Sequence, residues 1–192
     1  MDSHTVKLFF GILSLVPAAV AYTLYFKGLL AGKIKPHAFS WLIWGLLAGN
    51  GFIAQLSAQA GIGAWATGVT SVACLTIFCI ALHKGDTKLT YLDWSLLALA
   101  LTSFGLLFVI DDKTLSLCVT LFATLLGFTM TWRKAWRLPH EEAALAFGLN
   151  AIKFLPAIFA LQTYSFLTVA YPLTAGLANG AVVAIIMVRK RT

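Results

Sequence analysis

Charged side chains are scarce in this sequence. Only 11% of the 192 residues are Asp, Glu, Lys or Arg, and only 7 are acidic, whereas soluble domains carry about 25% charged residues. Apolar residues make up 60%, and the mean hydropathy is +0.88. These values exclude a water-soluble globular fold. They also exclude a nucleic-acid-binding domain, because the basic residues lie between apolar runs and not on a polar domain surface.

Cysteine and catalytic motifs are scarce as well. Cys74, Cys79 and Cys118 all fall inside apolar runs without paired spacing, so we interpret them as packing residues and predict no disulfide. The apolar runs contain no paired carboxylates, no Ser or Cys nucleophile with a base, and no His-rich cluster. The sequence therefore predicts no enzyme, no cofactor and no metal site; His37 and His140, if they approached each other, would supply only two ligands.

Seven apolar runs account for most of the chain. Each is long enough to cross a bilayer as a helix, and none shows the polar alternation of a barrel strand. We therefore predict an all-α membrane protein with seven transmembrane helices. The predicted spans are residues 8–26, 38–58, 62–82, 94–110, 115–131, 143–161 and 166–188.

The basic residues set the orientation, because Lys and Arg in short loops are retained on the cytoplasmic side. Of the 14 basic residues, eleven lie on one side, two on the other, and Lys153 lies inside the sixth span. This split predicts an N-terminus outside and a C-terminus in the cytoplasm. A cleavable signal peptide is the alternative for the first span, since Ala19-Val20-Ala21 has the form of a cleavage site. The single Lys7 before the span and the three lysines after it have the opposite asymmetry to a signal peptide.

An internal repeat relates the two halves of the sequence. A shift of 103 residues gives eight identities between positions 36–59 and 139–162, and it maps the first three spans onto the last three. The identities pair Pro36 with Pro139, His37 with His140, Leu42 with Leu145, Gly45 with Gly148, Leu46 with Leu149, Ala48 with Ala151, Ala54 with Ala157 and Gln59 with Gln162. The predicted units are a three-helix bundle over 1–90, a linker helix over 91–113 and a second three-helix bundle over 114–192. Parallel repeats of this kind are a transporter architecture, with the substrate held between the halves near the midplane.

Two sequence strings resemble a known family. The string KIKPHAFSWLIW from Lys33 and the string WRKAWRLPHEE from Trp132 are similar to bacterial membrane proteins of the SWEET and PQ-loop superfamily, which has the same 3+1+3 array. The resemblance implies a multi-pass carrier in the bacterial cytoplasmic (inner) membrane, with the lipid bilayer and a small solute as partners; a homodimer is compatible with it but not required. The Pro-Gln dipeptide of the family is absent, since Pro17 precedes Ala18. The fifth span has no proline, which argues against symmetric rocking.

Lys153 is the principal candidate for a binding residue. It lies about eleven residues into the sixth span, about 16 Å deep, which is close to the centre of a hydrocarbon core about 30 Å thick. A lysine at that depth indicates a functional site. Without a carboxylate partner in the spans, it is either deprotonated by desolvation or paired with an anionic ligand. The alternative is a structural lysine that bonds to backbone carbonyls and to Asn150, one turn earlier.

Other polar residues are candidates for the same pocket. Asn50 occupies the position equivalent to Lys153 in the repeat, and Asn179 occupies the position equivalent to Thr76. In SWEET-type proteins an asparagine on the third helix of each unit contacts substrate, and the resemblance implies this role for Asn179. For the asparagines, a hydrogen bond that joins two helices is an equally good interpretation.

Helix-breaking residues indicate where the helices could bend. Pro17, Pro156 and Pro172 lie inside spans one, six and seven, where each removes a backbone hydrogen bond and predicts a hinge or kink. Most tryptophans lie near the cytoplasmic interface and are interpreted as anchors. Trp44, about one turn further in, is a candidate gate.

These observations predict a carrier of a small polar solute, sugar-like or anionic, that works by alternating access. The alternative is a non-transporting receptor of the same fold that binds a small carboxylate or a peptide. A retinal protein fits poorly, because the buried lysine is in the sixth span and no buried carboxylate provides a counter-ion.

Overall fold

The computed structural model of the chain describes residues 3–32, 36–137, 139 and 144–190. His140, Glu141 and the lysines at 33 and 35 lie outside the described residues. Helices dominate the described residues, which contain no strand. The elements are α1 (Ser3–Leu30), α2 (Ala38–Ser57), a 3-10 turn (Gly61–Ala64), α3 (Trp65–Lys84), α4 (Tyr91–Phe108), α5 (Lys113–Arg137), α6 (Ala144–Ile152), α7 (Phe154–Phe159) and α8 (Phe166–Arg189).

Six of these helices are long and apolar enough to cross a membrane. They are α1, α2, α4, α5, α8 and α3 together with the 3-10 turn before it. The predicted all-α fold is thereby confirmed, with six helices that are long and apolar enough to span a membrane. In place of the predicted sixth span lies a shorter apolar helix, Ala144–Phe159, which comprises α6 and α7. The seventh crossing, the repeat and the orientation therefore stay predictions.

Proline explains the break between α6 and α7. Pro156 has no N–H to donate to the carbonyl of Ile152, and its ring crowds that carbonyl. The regular hydrogen-bond pattern is interrupted at Lys153, between α6 and α7, but the backbone there stays helical, with φ −57° and ψ −31°, and the Lys153 N–H donates to the Leu149 carbonyl at 3.1 Å. Pro17 and Pro172 lie inside α1 and α8 without interrupting them. Only the proline beside the buried lysine therefore divides its helix.

Helices α2 and α3 pack closely because two glycines of α2 face α3. A Cβ atom at Gly45 would lie 2.7 Å from the Leu75 side chain, and one at Gly49 would lie 3.0 Å from Ser71 Oγ. The Ser71 hydroxyl uses this proximity to donate a hydrogen bond of 2.8 Å to the Gly45 carbonyl. The small residues thus allow both close contact and a polar link between two helices.

Helices from the first and last parts of the chain pack against each other as well as among themselves. Helix α1 packs against α3, and α5 packs against α8 in the corresponding way. Across the middle of the molecule, α2 packs against α5, while α1 packs against α6 and α7. Helix α4 covers α5 and α2. The break at Lys153 therefore lies against α1, a helix from the other half of the sequence.

Hydrogen bonds between distant residues define the two ends of the bundle. At one end, Lys7 Nζ donates to the Gln162 carbonyl at 3.2 Å, and the Gln162 N–H donates to the Ala60 carbonyl at 3.0 Å. At the opposite end, Arg189 Nε donates to the Trp136 carbonyl at 3.1 Å. The chain therefore passes from one end of the bundle to the other between Trp136 and Gln162, through α6 and α7.

The close contact at Gly63 allows a stability prediction. A Cβ there would lie 2.7 Å from the Ala157 carbonyl oxygen and 2.8 Å from the Leu161 nitrogen, and these backbone atoms cannot move aside easily. We expect Gly63→Ala to destabilise the protein by about 1–3 kcal/mol. Gly105→Ala is the matched control, because nothing lies within 4 Å of its Cβ position, and it should be neutral or stabilising by up to about 1 kcal/mol. Thermal unfolding in detergent measures both; equal effects would contradict the packing at Gly63.

Candidate functional site

Lys153 lies at the meeting point of three helices. Its side chain is fully buried. The Nζ atom donates to Asn150 Oδ1 at 2.6 Å, to Thr70 Oγ1 at 2.8 Å and, at a longer 3.4 Å, to the Tyr22 hydroxyl. The acceptors come from α6, α3 and α1, so one amino group links both halves of the chain.

The two nearer acceptors, Asn150 and Thr70, are each held in place by a second hydrogen bond. Asn150 lies three residues before Lys153, on the same helix face, and its Nδ2 donates to the Ala146 carbonyl at 3.0 Å. The Thr70 hydroxyl donates its hydrogen to the Ala66 carbonyl at 2.6 Å. Asn150 Oδ1 is a carbonyl oxygen and the Thr70 hydroxyl has used its only hydrogen, so both oxygens can only accept from the lysine.

Two aromatic rings complete the surroundings of the lysine. Its Nζ atom lies 5.1 Å from the centre of the Tyr22 ring and 5.0 Å from the centre of the Phe154 ring. A cation at these distances from a ring face is attracted by the quadrupole of the ring. The surroundings therefore suit an ammonium group, although they contain only neutral groups.

No ion pair neutralises this lysine among the described residues. The ion pairs found there lie elsewhere: Lys113 pairs with Asp111, and His37 pairs with Asp93 when its ring is protonated. A protonated Lys153 would thus be a buried charge with hydrogen-bond partners but without a counter-charge. Such a group attracts anions strongly, because the surrounding protein screens charge much less than water does.

Asn50 forms a separate polar contact between helices. It is 1% exposed, and its Nδ2 donates to Ser116 Oγ at 2.8 Å and to Thr120 Oγ1 at 2.6 Å. Those hydroxyls already donate to the carbonyls of Ser103 and Ser116, so they can only accept from Asn50. Asn50 Oδ1 consequently lacks a partner among the described residues. The structure does not bring Asn50 and Lys153 into direct contact.

A series of aromatic contacts connects the two polar sites. Phe154, the residue after Lys153, packs edge-to-face on Tyr171 with ring centres 6.5 Å apart. The Tyr171 ring lies against Gly51, where a Cβ atom would be only 2.6 Å from it. Gly51 follows Asn50 in the sequence. Phe154 and Tyr171, each 3% exposed, therefore fill the space that leads from the lysine towards Asn50.

The remaining candidate residues are not joined to Lys153. Asn179 is 9% exposed, and its Nδ2 donates to the Ala175 carbonyl of its own helix at 2.8 Å. Thr76 is exposed and donates to the Val72 carbonyl of its own helix at 2.8 Å. Trp44 packs against Phe128 with ring centres 4.8 Å apart. Of the predicted pocket residues, the structure therefore assembles only Lys153 and Asn150.

Sequence reasoning missed four polar partners. Tyr22 and Thr70 carry no sequence signal that distinguishes them from ordinary helix residues. Ser116 and Thr120 do carry one, because Ser116, Thr120 and Thr124 recur every four residues and so lie on one face of α5. All three are buried, and this stripe of hydroxyls in an apolar helix indicates the face that contacts Asn50.

Comparison of the chain with protein-family models, with curated proteins and with solved structures finds no match.

The contact between Asn50 and α5 can be tested with a matched pair of substitutions. Thr120 and Thr76 both donate to a carbonyl of their own helix, but only Thr120 also accepts a hydrogen bond from Asn50. We expect Thr120→Val to destabilise the protein by about 1 kcal/mol, as is typical of a hydrogen bond between membrane helices. Thr76→Val should have a smaller effect. Thermal unfolding of the purified variants measures the difference, and equal losses would show that Asn50 contributes nothing there.

Proposed function

We propose that this protein carries a small anionic solute across the membrane by alternating access between two three-helix bundles. The observation that carries the proposal is Lys153, a fully buried amino group at the centre of the bundle that has only neutral partners. A buried ionisable group inside a membrane protein is costly and marks substrate paths and binding sites. An anionic solute would supply the counter-charge that the described residues lack.

The contacts of Lys153 and Asn50 support two bundles that move relative to each other. Lys153, of the proposed second bundle, bonds to Tyr22 and Thr70 of the first. Asn50, of the proposed first bundle, bonds to Ser116 and Thr120 of the second. The two donors occupy equivalent positions in the sequence repeat and each reaches across the division. Hydrogen bonds between neutral groups contribute about 0.5–1.5 kcal/mol each, and those of a charged group about 1.5–3 kcal/mol. Bonds of this strength can be exchanged for bonds to an entering anion when the bundles move.

The aromatic pair supports a closed state for the carrier. Phe154 and Tyr171 fill the space between the lysine and the Asn50 region. Lys153 itself lies at the break between α6 and α7. A bend at that break would move Phe154 together with the lysine, because the two residues are adjacent. Binding and opening would thereby be coupled, since a solute shifts a conformational equilibrium only when it contacts the two states differently.

The family resemblance supports the same proposal. The similarity to SWEET and PQ-loop proteins implies the 3+1+3 array and the bacterial inner-membrane location, and the distribution of Lys and Arg predicts the outside N-terminus. In this proposal the sixth crossing is the pair α6 and α7, which passes from one end of the bundle to the other. Its shortness would be accommodated by local thinning of the bilayer.

Replacement of Lys153 tests the anion site. We expect small carboxylates or phosphate to raise the unfolding temperature of the purified protein, because a ligand of the folded state stabilises it by mass action. Lys153→Met should abolish this stabilisation and leave a folded protein, since it removes an uncompensated buried charge and retains most of the side-chain volume. The control is Lys113→Met, which removes a more exposed lysine paired with Asp111 and should leave the response unchanged.

Two outcomes would contradict this proposal. If neutral sugars raise the unfolding temperature and no anion does, the role of Lys153 is structural. An anion response that persists in Lys153→Met would place the anion elsewhere. Flux into liposomes then separates the two function classes: a carrier moves the bound anion across the membrane, whereas binding without flux indicates a receptor.

Cysteine labelling tests the proposed topology. In a background without the three native cysteines, we expect Asp112→Cys and Thr163→Cys to react with an impermeant maleimide on intact cells. Thr87→Cys should react only after lysis. All three positions are exposed. If only Thr87→Cys reacts on intact cells, the orientation is opposite to the predicted one. If Asp112→Cys reacts but Thr163→Cys is protected, α6 and α7 do not cross the bilayer.

A further inference from the structure

A second polar region lies away from Lys153, between α2, α4 and α5. It is a cavity of about 120 Å³. Its polar lining consists of Ser40, Asp93 and Thr131, and Trp44 provides an aromatic surface. Neither Lys153 nor any of its hydrogen-bond partners lines this cavity. The cavity is therefore a separate site from the proposed anion site.

Asp93 is the charged group of the cavity. It is 7% exposed, and its Oδ2 atom accepts hydrogen bonds from the Thr90 N–H at 2.8 Å and the Thr90 hydroxyl at 2.6 Å. His37 Nε2 lies 3.7 Å from the same oxygen. No described residue donates to Oδ1, the other oxygen of the carboxylate. The start of α4 thus satisfies Oδ2, while Oδ1 accepts no hydrogen bond from the described residues, and Asp93 is part of the cavity lining.

We infer that this cavity binds a small monovalent cation. The Asp93 carboxylate supplies the opposite charge, and the hydroxyls of Ser40 and Thr131 supply the oxygen atoms that hard cations prefer. The Trp44 ring adds a surface that attracts cations through its quadrupole. The volume corresponds to about four waters at about 30 Å³ each, which accommodates an ion with part of its hydration shell or a small alkylammonium ion.

The same set of groups disfavours divalent cations. Calcium takes six to eight oxygen ligands, and magnesium requires a regular octahedron. One carboxylate and two hydroxyls supply too few ligands for calcium. For either divalent ion, a single carboxylate would leave one positive charge unneutralised. With the neighbouring His37 ring neutral, a monovalent ion matches the single negative charge of the cavity.

Cation-dependent stability tests this inference. The purified protein is unfolded thermally at pH 8 and constant ionic strength, while N-methylglucamine chloride is replaced stepwise by sodium chloride or by methylammonium chloride. One of the two cations should stabilise the protein in a saturable way; at ten times its dissociation constant, the ratio of folded to unfolded protein rises about elevenfold. Saturation by sodium identifies an alkali-ion site, and saturation by methylammonium identifies a site for organic ammonium ions.

Three variants locate the effect. Asp93→Asn should abolish the cation response, and Thr131→Val should weaken it while the hydrogen bonds of Asp93 to Thr90 stay intact. Asp111→Asn, which changes an exposed carboxylate in the connection between α4 and α5, should keep the full response. If Asp93→Asn does not fold, the test depends on Thr131→Val. A dissociation constant for the cation that is unchanged in Thr131→Val overturns the inference. A response that is absent, non-saturable, or retained in Asp93→Asn overturns it as well.

Discussion

The arrangement at the centre of the molecule depends on one requirement: a buried lysine amino group must find hydrogen-bond acceptors. Lys153 meets it with a side-chain oxygen from each of three helices. Removal of a partner from a buried polar group costs about 1–3 kcal/mol, so the lysine restricts where α1 and α3 can lie relative to α6. Pro156, by ending α6 at Ile152, places the lysine at the break.

The sequence predicted the helices well and the site only in part. Long apolar runs identify membrane helices because length and hydropathy are properties of a single segment. The contacts of Lys153 depend on how segments meet, and no property of Tyr22 or Thr70 in isolation specifies that. Asn150 was predictable because it lies on the same helix as Lys153. Thr76 was a weak candidate, because its only support was its position equivalent to Asn179 in the repeat. Its exposure in α3 depends on how the helices pack, which the repeat does not specify.

Asn50 and Lys153 both join helices, but with different chemistry. Asn50 of α2 donates only to α5, whereas Lys153 of the α6–α7 segment donates to α3 as well as to α1. One donor is a neutral amide among hydroxyls, and the other is an amino group among neutral oxygens and aromatic rings. A charged ligand would distinguish these sites, while a ligand of neutral polar groups would not. This asymmetry favours an anion over a sugar as the solute of the proposed carrier.

The arrangement around Asn50 also has an energetic cost. Asn50 Oδ1 is buried without a partner among the described residues, and the hydroxyls beside it have already used their hydrogens. An orphaned acceptor of this kind costs about 1–3 kcal/mol, comparable with the gain from one or two of the hydrogen bonds that join the halves. In the proposed carrier, admission of water or solute to Asn50 would recover that cost as the bonds to Ser116 and Thr120 break. The closed and open states would then differ by only a small free energy. Binding of a small solute is sufficient to shift the equilibrium between two such states.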